Sequence, residues 1–213
     1  MKRKLINWLC LTGVLSIIFY LLHDIIGGLN YPNYDRLSQA VSDLTATDAP
    51  SFVVATNLSK IYGTLSCVCC TLLCILVEEK NKKLKTGIYL FTIMSYISLI
   101  GYSLFPLSSS GYDGSVASFI HVYIITTLVV ILSIISIVLL IMGFKKENSK
   151  LYEILSIISL TAMFAGAIGS SIVPKEYFGV IERFSTYSAV ILTGILGIYG
   201  FNKMNENKLK INK

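Results

Sequence analysis

Six apolar stretches, each long enough to cross a bilayer, constrain this chain more than any other feature: residues 5–26, 52–77, 86–105, 116–144, 151–173 and 180–201. A helix rises about 1.5 Å per residue, so about 20 apolar residues cover a hydrocarbon layer of about 30 Å. The second stretch is the least pure, with Asn57 and Lys60 in its first turns. Hydrophobic residues make up 54% of the chain and charged ones only 14%. Such runs offer no polar face to water, so hydrocarbon is the expected solvent. In lipid every backbone amide needs a partner within its own segment or in a closed barrel, and no stretch alternates as a barrel strand would. The expected fold is therefore all-α, a polytopic bundle of six transmembrane helices in one membrane domain spanning residues 1–213.

Basic residues orient the bundle, because they are retained on the cytoplasmic side. One set of connections and ends carries Lys2, Arg3, Lys4, Lys80, Lys82, Lys83, Lys85, Lys145, Lys146, Lys150, Lys203, Lys208, Lys210 and Lys213. The opposite set holds only Arg36, Lys60, Lys175 and Arg183. This bias places both termini in the cytoplasm, and the Lys-, Ile- and Asn-rich composition suits a low-GC bacterium and a plasma-membrane location. A leading Met-Lys-Arg-Lys before an apolar run also suits a signal peptide, but no small-x-small cleavage site follows it. The net charge of +6 sits in short clusters rather than along one face, which argues against a nucleic-acid partner and leaves membrane lipids as the expected one. The five cysteines (Cys10, Cys67, Cys69, Cys70 and Cys74) all lie in apolar segments, so free thiols are expected, serving in packing or, through the helical spacing of Cys67, Cys70 and Cys74, as soft-metal ligands.

The first outer connection, residues 27–51, is the longest. Leu37, Ala40, Val41 and Leu44 follow helical spacing, which predicts a short amphipathic helix over the outer face, with Ser38 and Ser42 sharing another side. Small residues recur at Ala162, Gly166 and Ser170, and at Gly194, Gly197 and Gly200. They predict seams where helix backbones approach closely.

Once oriented, the remaining ionisable residues gather toward the outer ends of the helices. His23 and Asp24 end the first, Lys60 opens the second, His121 opens the fourth, and Glu182 and Arg183 open the sixth. A charge within a span costs at least about 2.5 kcal/mol, so several at one depth predict mutual pairing or an outward-facing polar cavity. The candidate site residues are His23, Asp24, Ser38, Asp43, Lys60, His121, Glu182 and Arg183. Snorkelling of single side chains to interfacial water is the simpler alternative for each one. Lys60 and Arg183 suit a phosphate or carboxylate, as a lipid head group or small polar solute would need. His23 and His121 with Asp24, Asp43 or Glu182 could instead hold a zinc-like ion, without a recognised metal spacing. A triad of Ser38 or Ser42 with a histidine and Asp43 lacks a nucleophile elbow.

The chain resembles a known family at His23-Asp24, at Tyr31-Pro32-Asn33-Tyr34 through Leu37-Ser38-Gln39 and Val41-Ser42-Asp43-Leu44, and at Glu182-Arg183-Phe184. The family is that of the prokaryotic membrane proteins grouped as domain of unknown function 998. Its usual Pro-Gly-Tyr is Pro32-Asn33-Tyr34 here, which keeps a turn. The resemblance implies a six-helix integral membrane protein and no established reaction. Three roles stay open from the sequence: binding of a lipid head group or small polar solute in the outer cavity, a membrane-embedded, metal-assisted hydrolase or lipid transferase, and a purely structural role in which the polar residues staple the helices together. The cofactor stays open from the sequence, with His23 and His121 as the possible metal ligands.

Overall fold

The apolar runs fold as helices, and short segments rich in Asn, Pro, Ser and Gly connect them. A computed structural model describes the backbone of residues 2–77 and 80–211. Among these residues six helices are long and apolar enough to cross a membrane: Trp8–Leu29, Phe52–Leu76, Lys82–Leu104, Val116–Lys146, Lys150–Ile172 and Lys175–Asn202. They are called the first to the sixth helix below. No strand occurs among the described residues. The backbone of the sixth helix continues as far as Ile211.

Neighbours in sequence are neighbours in space, because the connections are short and force antiparallel pairs. The helices form a closed ring in which the sixth returns to pack on the first and also touches the second. Large apolar side chains point out all round this ring, among them Ile18, Val53, Ile75, Ile100, Ile131, Ile158, Ile172 and Ile198. In water that surface would drive aggregation; hydrocarbon accommodates it. Inside, the end that carries the termini is filled by Leu73, Leu84, Phe91, Ile137, Leu140, Phe144, Leu192 and Leu196. The same end is tied by Asn81, which caps the third helix by accepting from the Leu84 amide and donates to the Gly143 carbonyl at 2.9 Å.

Small residues set the helix spacing where the sequence places seams. A Cβ at Gly166 would overlap the backbone nitrogen of Ser185 on the sixth helix, so only glycine lets the fifth and sixth helices approach this closely. Gly194, Gly197 and Gly200 turn toward Ile17, Cys10 and Leu73 of the first two helices. The cysteines are free thiols in packed positions, with Cys69 Sγ 3.3 Å from the Cys10 carbonyl.

At the opposite end the long connection folds over the ring. Its short helical element is a 3-10 helix, Val41–Thr45, preceded by a turn at residues 36–38 rather than by a continuous helix. The physical reason lies in the side chains of that turn: Ser38 donates to Asp35 at 2.7 Å and the Leu37 amide donates to the same carboxylate at 3.0 Å. Asx-type bonding of this kind competes with helix. Leu37 consequently faces outward at 53% exposure, whereas Val41 and Leu44 are buried. Asn33 adopts a φ of 61°, the left-handed region that Asn tolerates better than most residues. This explains how asparagine takes the place of glycine in the Pro32-Asn33-Tyr34 turn.

Candidate ligand-binding cavity

The long connection roofs a cavity of about 580 Å³ enclosed by all six helices, a size typical of small-ligand sites. Ala40, Val41, Ser42 and Thr45 supply the roof. The walls below are rich in hydroxyls and tyrosines, mixed with apolar side chains at Met94, Val129, Met163 and Val190 and with the deeper hydroxyls of Ser66, Ser133 and Thr193. Lys60, Thr127 and Ile131 line the cavity and are exposed, so it reaches the surface beside the second and fourth helices. The fourth helix makes room by local irregularity. Its Ile120–Ile125 segment is a π-helix, closed by the Thr126 amide donating to the His121 carbonyl. Such bulges are rare and concentrate at functional sites.

The eight sequence candidates divide between two places. His23, Lys60, His121 and Glu182 line the cavity; Asp24, Ser38, Asp43 and Arg183 do not. Asp24 and Arg183 are engaged with each other instead. Arg183 donates through Nε to Asp24 Oδ2 at 3.0 Å and through Nη2 to Oδ1 at 2.9 Å. The remaining donors go to the Tyr34 hydroxyl at 2.8 Å and to the carbonyls of Gly179, Arg36 and Gln39 at 2.8, 3.1 and 3.1 Å. Tyr187 donates a further hydrogen bond to Asp24 Oδ2. The pair therefore fastens the first helix to the sixth and draws the long connection down on both. Burial pushes the Tyr34 phenol well above its ordinary pKa, so it stays protonated in this lock.

Asp43 has a structural task as well. It accepts from the Ala40 amide at 3.2 Å and from the Gly111 amide at 3.0 Å, joining the first connection to the third. Ser38 serves its own turn, as described above.

The groups inside the cavity are less well satisfied. His23 is buried at 3% exposure, and neither ring nitrogen has a hydrogen-bond partner; its ring stands edge-on to Tyr20 at 5.4 Å. His121 Nδ1 lies 2.8 Å from the Phe105 carbonyl. A carbonyl can only accept, so Nδ1 carries the proton and Nε2 of the neutral ring is left as an acceptor. The ring also lies against Tyr102, 4.6 Å between centroids. Glu182 accepts from the Val41 amide at 3.3 Å and the Thr186 hydroxyl at 3.1 Å.

Charge patterning alone does not single out Tyr20, Tyr62 and Tyr102, which line the cavity, or Tyr34 and Tyr187, which bond the Asp24–Arg183 pair. A signal exists for two of them: Tyr187 follows Arg183 by four residues, and Tyr20 precedes His23 by three, spacings that share a helix face. Among the described residues no three His, Cys, Asp or Glu side chains gather as a metal site. His23 and His121 thus have no common carboxylate set about them, and the cysteines form none of their own.

Residues 14–199 match the model of a family described as a protein of unknown function, DUF998. No curated protein and no solved structure matches the chain.

Proposed function

The chain belongs to the DUF998 family, whose function is unknown, and we propose that it is a multi-pass plasma-membrane protein that binds the polar part of an amphiphile in its cavity. The observation that carries this reading is the roofed cavity itself, about 580 Å³ in volume and lined by His23, His121 and Glu182 among others, a size that suits a small ligand. The hydroxyl- and tyrosine-rich wall suits a head group or small polar solute. The exposed lining at Thr127 and Ile131 and the apolar side chains of Met94, Val129, Met163 and Val190 suit an attached chain entering from the bilayer.

Orientation follows the basic residues: both termini lie in the cytoplasm and the roofed end faces outward. In that arrangement the cavity samples the outer leaflet. The protein is one membrane domain, and membrane lipids are its immediate partners.

The test is lipid retention. Protein reconstituted in mixed-lipid nanodiscs and then extracted into detergent is expected to hold an amphiphile detectable by native mass spectrometry. Ala167→Phe combined with Ser98→Phe fills the cavity from the fifth and third helices and is expected to release it. An identical bound complement in the wild-type and filled proteins would refute the reading.

A further inference from the structure

We infer that the group bound beneath the roof carries a positive charge, an ammonium belonging to an aminolipid or to a free amine. The inference rests on the cavity reading above and adds its ligand class. It starts from which charges are already neutralised. Arg183, the cation that would best suit a phosphate, has its donors occupied by Asp24, Tyr34 and three backbone carbonyls. No donor of that fork is left for an anion. Lys60 lines the cavity from an exposed position on the second helix and is the one Lys or Arg among the described lining residues.

What faces the interior has the opposite character. Glu182 lines the cavity, and its recorded partners are one backbone amide and one hydroxyl, with no ion pair among the described residues. A carboxylate held in a low-dielectric space favours a cation or a strong donor beside it. His121, whose Nδ1 donates to the Phe105 carbonyl and leaves Nε2 as an acceptor, lines the same wall, as does the ring of His23. The rings of Tyr20, Tyr62 and Tyr102 complete it. Aromatic faces attract ammonium groups through their quadrupole, and several around one carboxylate make the environment in which such cations are bound. A phosphate placed there would find no cation other than Lys60 among the described lining residues.

The experiment uses the full chain in detergent with three probes: phosphatidylethanolamine, phosphatidylglycerol of identical acyl chains, and soluble ethanolamine. Binding is read by native mass spectrometry and by the shift in thermal unfolding. The expected result is a preference of about tenfold or more for phosphatidylethanolamine over phosphatidylglycerol, the size of a charge-assisted hydrogen bond. Saturable binding of ethanolamine alone would assign the free amine as the ligand source; binding of the lipid alone would assign the aminolipid. Glu182→Gln keeps the acceptor for Val41 and is expected to erase the preference. Tyr62→Leu, which leaves the carboxylate in place, is expected to reduce it roughly threefold. Equal or stronger binding of phosphatidylglycerol, lost on filling the cavity, would overturn the ammonium inference while leaving the cavity reading intact. Failure of all three probes to distinguish the wild-type from the filled protein would overturn both.

Discussion

Removing Arg183 tests whether the ion pair is the lock that holds the roofed end together. In Arg183→Leu the Asp24 carboxylate stays buried, at 4% exposure, with the Tyr187 hydroxyl as its remaining recorded side-chain donor. Breaking a buried pair from one side costs about 3–5 kcal/mol. The carbonyls of Arg36, Gln39 and Gly179 lose a donor at the same time. For a chain of this length about 1 kcal/mol moves the midpoint by roughly 2–4 °C, so the expected loss in Tm is roughly 6–20 °C. The buried thiols of Cys69 and Cys70 supply the assay, since a thiol-reactive fluorophore reaches them only on unfolding. Asp24→Leu is expected to fall by a similar amount. The double variant removes both charges, and should lose less than the sum of the two and no more than about 1–3 kcal/mol for the orphaned carbonyls. Limited proteolysis adds an independent readout, because Arg183 tethers the segment around Arg36 and Gln39; cleavage there should accelerate in Arg183→Leu. A Tm within about 3 °C of wild type for both single variants, or additive losses in the double, would refute the reasoning.

Gly143→Ala should destabilise by about 1–3 kcal/mol despite the higher helix propensity of alanine, because its Cβ would sit 2.6 Å from Leu84 Cβ and 2.7 Å from Leu84 Cα; thermal unfolding of the variant checks this. His23→Leu removes the two unpaired nitrogens and should raise Tm while abolishing amphiphile retention, so unchanged retention would contradict its role in the cavity. Asp113 is held down to a pKa of about 2 by the Ser118 hydroxyl and then by the Ser115 amide and hydroxyl. A depressed carboxylate stabilises above its unfolded pKa and loses that contribution as pH falls through the folded value; protection of the Ser115 amide against exchange should therefore persist at pH 4, fall by about half near pH 2 and be lost below it. Tags at either terminus should be shielded from protease in intact cells and cleaved once the membrane is opened.

Much of the architecture was legible because hydrocarbon imposes the same demand on every residue of a span. Six runs without a polar face become six helices, and the spacing of Gly166 with Ala162 and Ser170 marks where two of them meet. The first connection was harder. Leu37, Ala40, Val41 and Leu44 carry a helical period, yet Asp35 bonds Ser38 and the Leu37 amide and breaks the helix before it can form. Local polar competition of this sort outweighs an apolar period in a segment this short.

The candidate site was legible only as a depth. His23, Asp24, Glu182 and Arg183 share one level, but which of them are neutralised is a tertiary matter. The reason lies in helix geometry: successive residues are about 100° apart around the axis, so each dipeptide sends its two side chains in different directions. On the first helix Asp24 turns to the seam and His23 to the cavity; on the sixth Arg183 turns to the seam and Glu182 to the cavity. The seam pair cancels its own charge and sets the relative rotation of the two helices. That rotation brings an unpaired imidazole and an unpaired carboxylate onto the wall of one chamber. On the ammonium inference, a ligand in the chamber meets the residues that the ion pair leaves over, Glu182 foremost, and not Arg183, whose donors the seam has already taken.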